Sequence, residues 1–169
     1  MSTEFETFAA SLPDDERDAL LASIPMLIAM VAGADESFQQ DEVVAAVDSL
    51  LAAAEQLGEQ FRYSPAAQQE FDTLARHIRK EVDHDDFFRL MILRKAVLKM
   101  PAELRDKYLR FAGRVCVNIA RAEGSFLGFG NPISEAEAVM IRRIVAAIGL
   151  LISEAPRALI DDAIDSGES

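Results

Sequence analysis

The chain has 169 residues, half of them apolar, and a formal net charge of −12 from 17 basic and 29 acidic side chains. That length suits one domain, with apolar content enough for a sizeable core. The acidic balance argues against nucleic acid and anionic lipid as partners, since both are bound through clustered Lys and Arg, and leaves cations and basic proteins.

Residues 1–12 are expected to be a flexible N-terminal segment, residues 13–164 a single helical domain, and residues 165–169 a flexible tail. The start Met1-Ser2-Thr3-Glu4-Phe5-Glu6 lacks the basic opening of a signal peptide. Pro13-Asp14-Asp15-Glu16 then opens a helix, with negative charge at the positive end of its dipole. Leu20, Ile24, Leu27, Ile28 and Val31 form one stripe inside an uncharged run over residues 19–34. That run contains Pro25 and Gly33 and is too short to span a membrane, so it reads as a buried core helix. Pro25 either kinks this helix or starts a second one. A soluble, cytoplasmic protein without membrane insertion is the expectation.

After an acidic loop, Val43, Val47, Leu50, Leu51 and Ala54 make the next stripe, with Gly58 as its C-cap. Ser64-Pro65 supplies an N-cap and a first-turn proline for a helix carrying Ala67, Phe71, Leu74, Ile78 and Val82. Asp83-His84-Asp85-Asp86 interrupts the pattern. Residues 87–100 are apolar on nearly all sides, the signature of a central helix. Pro101 ends that helix and starts one carrying Leu104, Tyr108, Phe111, Val115 and Ile119. The lone Cys116 excludes an internal disulfide and fits buried packing. Ser134-Glu135-Ala136-Glu137 is a capping box ahead of Ile141, Ile144, Val145, Ile148 and Leu151. A short helix over residues 156–164 closes the series. The fold class is all-α, a compact bundle of about seven helices.

Two acidic stretches align within this series. Asp35 matches Glu123 at an offset of 88 residues (123 − 35), with Ala32 on Ala120, Ser37 on Ser125 and Phe38 on Phe126. Glu42 matches Glu137 at an offset of 95 (137 − 42), so the second stretch carries extra residues. Each unit is helix, acidic loop, helix, and two such units side by side bring both loops to one end of a bundle. Hard cations such as Ca²⁺ and Mg²⁺ take several converging carboxylates. Asp35, Glu42, Glu123 and Glu137 are the candidate metal ligands. The spacing is not that of an EF-hand. First-turn acids such as Asp41, Glu42 and Glu137 also have a capping explanation, whereas Asp35 and Glu123 sit at helix C-termini, where negative charge is unfavourable.

Ala34-Asp35-Glu36-Ser37-Phe38-Gln39-Gln40-Asp41-Glu42 resembles the A-D-G-x-φ-x-x-x-E signature (φ apolar) of the TerB-like tellurite-resistance family. The resemblance runs from about residue 20 to residue 151. It implies an all-helical fold with the acidic signature in each half, and a divalent cation held by Asp35 and Glu42 from one half and Glu123 and Glu137 from the other. The chain departs from the signature at Glu36, where the family has glycine, at Glu123, where it has aspartate, and in the insertion through Phe129-Gly130-Asn131-Pro132. The function implied is that of a non-enzymatic stress-response or scaffold protein.

The remaining residues nominate no reaction. His77 and His84 are too few and too far apart in sequence for a catalytic pair, and Ser37 and Ser125 have no neighbouring His. A carboxylate-metal hydrolase needs an open coordination position that no motif here announces. Phe126-Leu127-Gly128-Phe129-Gly130 follows no strand and is no phosphate cradle. Its aromatic residues suit a contact with an unidentified protein partner. The alternative reading is therefore a metal-free helical protein–protein interaction module.

Overall fold

Every residue of the helix Ser23–Ala32 is buried. Nothing in it is charged, so it has no face to offer water, and the rest of the chain wraps it. The computed structural model describes residues 3–35, 40–78, 87–122 and 131–167. These form ten helices and no strand: α1 Glu4–Ala10, α2 Asp14–Leu21, α3 Ser23–Ala32, α4 Gln40–Gln56, α5 Gln60–Tyr63, α6 Pro65–Ile78, α7 Phe87–Lys99, α8 Ala102–Ala122, α9 Glu135–Ile148 and α10 Glu154–Gly167. No described helix is long and apolar enough to cross a membrane.

The all-α class agrees with the sequence reading; the count of about seven helices does not. Three short elements make the difference. The acidic start, expected to be mobile, contains α1, because Thr3 and Glu6 form a reciprocal capping box. Thr3 also donates its hydroxyl to the Leu57 carbonyl, and Glu6 Oε1 accepts from the Gln60 amide at 2.9 Å. Phe5 packs edge-on against Phe61, so α1 is fastened across the α4–α5 corner. The run around Pro25 is two helices, α2 and α3, divided at Ala22. Pro25 stands in the first turn of α3, where a missing amide breaks no intrahelical bond. The third short element is the single turn α5, between Gly58 and Ser64. Gly58 has φ 132, and a Cβ there would collide with the Glu6 side chain. At the other end, α10 extends through Gly167, beyond the boundary of the expected tail.

The central helix is α3, not α7. Helix α3 packs against α8, α6, α4 and α9. Helix α7 buries Leu90, Leu93, Ala96 and Val97 against α2 and α9, while Phe88 is 73% and Leu98 59% exposed. It is held laterally by Lys99 Nζ on Glu16 at 2.6–2.8 Å, by the Arg89–Glu70 ion pair, and by Arg94 donating to the Ala147 carbonyl at 2.9 Å. Inside, Tyr108 donates to Ser23 Oγ at 2.7 Å and Ser23 donates onward to the Leu20 carbonyl at 2.7 Å, tying α8 to the α2–α3 junction. Burial raises the Tyr108 phenol well above its ordinary range and pushes the Cys116 thiol up to about 12, which fits the packing role expected of that cysteine.

The two helix–loop–helix stretches singled out in the sequence are α3 with α4 and α8 with α9. Their first helices pack on each other, and each first helix also packs on the other stretch's second helix.

Candidate functional site

Glu137 is the third residue of α9, and its position follows from the local sequence. The Ser134 side chain accepts the Glu137 amide at 3.3 Å, while Glu137 Oε2 accepts both the Ser134 amide at 2.9 Å and the Ser134 hydroxyl at 2.8 Å. The capping box expected from Ser134-Glu135-Ala136-Glu137 is therefore formed. It accounts for one carboxylate oxygen only. The other, Oε1, is buried and has no hydrogen-bond partner among the described residues. A buried carboxylate oxygen left in that state is unfavourable, because hydration is lost with nothing in return.

Glu42 holds the same place in α4, third residue of the first turn, and is likewise fully buried. Asp35 lies just past the end of α3, whose C-cap is Gly33, and is half-buried. All three belong to one electrostatic neighbourhood. Burial raises the Glu137 carboxyl, the two Ser134 hydrogen bonds lower it in part, and the negative charges of Asp35 and Glu42 raise it again, to about 8. Two acids from the first stretch thus act on one from the second, across 95 (137 − 42) and 102 (137 − 35) residues of sequence.

Of the four residues nominated from the sequence, Asp35, Glu42 and Glu137 are brought together in this sense. Glu123 lies outside the described residues, as do Glu36 and the Phe126–Phe129 segment, and Asp83, His84 and Asp85. Among the described residues no group of three or more His, Cys, Asp or Glu side chains forms a ready-made metal cage. The donors present are all carboxylate oxygens, which suits a hard cation and not a soft one.

Sequence reasoning found these positions but not their burial. A first-turn glutamate is ordinarily at the surface, and capping explained Glu42 and Glu137 equally well as solvated residues. The available signal was the company they keep: Val43 follows Glu42 and Ala138 follows Glu137, so each acid is followed by an apolar residue.

No family model, curated protein or solved structure matches this chain.

Proposed function

We propose that the chain is a non-enzymatic, TerB-like scaffold protein of the stress-response type, whose two acidic stretches share a divalent cation, Ca²⁺ or Mg²⁺. The observation that carries this reading is Glu137 Oε1, buried, without a hydrogen-bond partner among the described residues, and within the field of Asp35 and Glu42. A divalent cation there would give the orphan oxygen a partner and offset the like-charge repulsion in one step. Asp35, Glu42 and Glu137 are the described residues that fit the role, and Glu123 is the fourth ligand proposed from the alignment of the two stretches. The cation would pin α3, α4 and α9 at one end of the bundle and leave no reaction to catalyse, so its effect is on stability and on the shape of that face.

Thermal unfolding with and without cation tests this. At a concentration about a hundredfold above Kd, a ligand specific to the folded state stabilises by about 2.7 kcal/mol. In a chain of this size that corresponds to a rise in Tm of roughly 5–10 °C. The Asp35→Asn, Glu42→Gln double variant should lose the rise. A Tm unmoved by millimolar Ca²⁺ and Mg²⁺ in the unaltered protein would end the proposal.

A further inference from the structure

We propose that the groove between α4 and α6 is the docking site for a basic amphipathic helix of a partner protein. The groove is about 260 Å³, floored by Pro25, Leu50 and Phe61 and walled by Val47 and Leu51 of α4 on one side and Tyr63 and Phe71 on the other. Its floor is buried but its walls are not: Val47 is 47%, Leu51 46% and Phe71 41% exposed. Val44, half-exposed, extends the α4 wall by a turn. Large apolar side chains held open side by side in this way mark an interaction surface.

The spacing along α4 says what shape fits. Val44, Val47, Leu51 and Ala54 are separated by three, four and three residues, the repeat by which one helix seats knobs into the holes of another. The stripe extends over about 15 Å, so it accommodates about three turns of a second helix.

The charge beside the stripe says what composition fits. Asp41, Asp48 and Glu55 are exposed and recur every seven residues, so they form one ridge along α4 beside the stripe, on the flank where Asp48 also lines the neighbouring α4–α8 pocket. Asp48 and Glu55 each directly follow a stripe residue, Val47 and Ala54. In paired helices the residues flanking the seam face each other, and opposite charges there choose the partner. Lysine or arginine flanking an apolar seam is therefore the matching chemistry. The basic side chain in the groove lining, Arg62, is turned onto the Tyr63 ring at 4.8 Å, and Arg114, on the far side of the ridge, donates to Gln56 at 3.2 Å. A second copy of this chain is the wrong occupant. It would set one acidic ridge beside another and one net charge of −12 against its equal.

Two synthetic helical peptides of identical apolar seam, one flanked by lysine and one by glutamate, test the assignment by fluorescence anisotropy in the presence of chelator, so that the acidic-loop site stays silent. The lysine peptide is expected to bind and the glutamate peptide not to. The Val47→Glu, Leu51→Glu variant should weaken binding by about tenfold or more, a loss of about 1.4 kcal/mol. The Asp48→Lys, Glu55→Lys variant, at exposed positions and checked for unchanged helicity, should reverse the preference between the peptides. Binding that ignores the Val47→Glu, Leu51→Glu change would show that net charge alone attracts the peptide and would overturn the proposal. So would failure to bind either peptide, or self-association abolished by Leu51→Glu, which would assign the groove to a second copy.

Discussion

The two oxygens of Glu137 meet different surroundings, and the difference has a pH signature. Its carboxyl is raised from 4.5 to about 8 in the folded chain, first by burial. Below 4.5 the folded and unfolded states both carry the proton. Between 4.5 and about 8 the unfolded chain releases it while the folded chain keeps it, so folding stability declines as pH rises through this window and levels off above it. Metal-free protein should therefore show a falling Tm from pH 4.5 towards pH 8, and Glu137→Gln should flatten the Glu137 part of that slope. Saturating divalent cation should remove it too, because a bound cation holds the carboxylate ionised. A slope that persists unchanged in Glu137→Gln would assign the titration to other groups. The sequence revealed this residue only as half of a capping box. That its second oxygen is buried depends on other helices packing on α9, which no local pattern encodes.

Helix boundaries were legible wherever a side chain announces them. Ser134 with Glu137, Ser64 with Pro65, and Gly58 all act as expected, the Ser64 hydroxyl accepting the Ala67 amide at 3.2 Å. Thr3 with Glu6 is the same signal, hidden in a segment whose acidity suggested disorder. Helix α7 was misplaced for a different reason. Periodicity reports which residues are apolar, not whether this chain or another molecule covers them, and Phe88, Met91 and Leu98 stay exposed on α7. Helix α8 holds a detail that periodicity cannot show at all. A Cβ built on Gly113 would lie 2.5 Å from the Leu151 carbonyl oxygen, so the α9–α10 connection rests directly on the α8 backbone. Helix propensity alone makes Gly→Ala favourable by about 1 kcal/mol. Overpacking against a backbone atom costs about 1–3 kcal/mol. Gly113→Ala should accordingly lower stability, measured as a reduced denaturant midpoint, and a gain would mean that the connection yields at no expense.

At the scale of the whole molecule, the layout is a closed shell around α3, with α1 clasping one corner through Thr3, Phe5 and Glu6. The acidic neighbourhood and the α4–α6 groove both involve α4, whose buried Glu42 turns inward while Val47 and Leu51 face outward. One helix thus carries the buried Glu42 on its first turn and one wall of the groove along its length. The enclosure of α3 also sets the order in which the molecule comes apart. Solvent reaches amides by local opening, and opening is rarest where no face is already wet. Backbone amides of residues 27–32 should therefore exchange hydrogen only through global unfolding, at a rate that follows the full stability of the protein, while those of residues 44–48 in α4 exchange sooner. Equal protection of the two segments would contradict this. Asp35 then follows the most protected segment of the chain and Glu42 heads a less protected one, so the two acids are carried by elements expected to open separately.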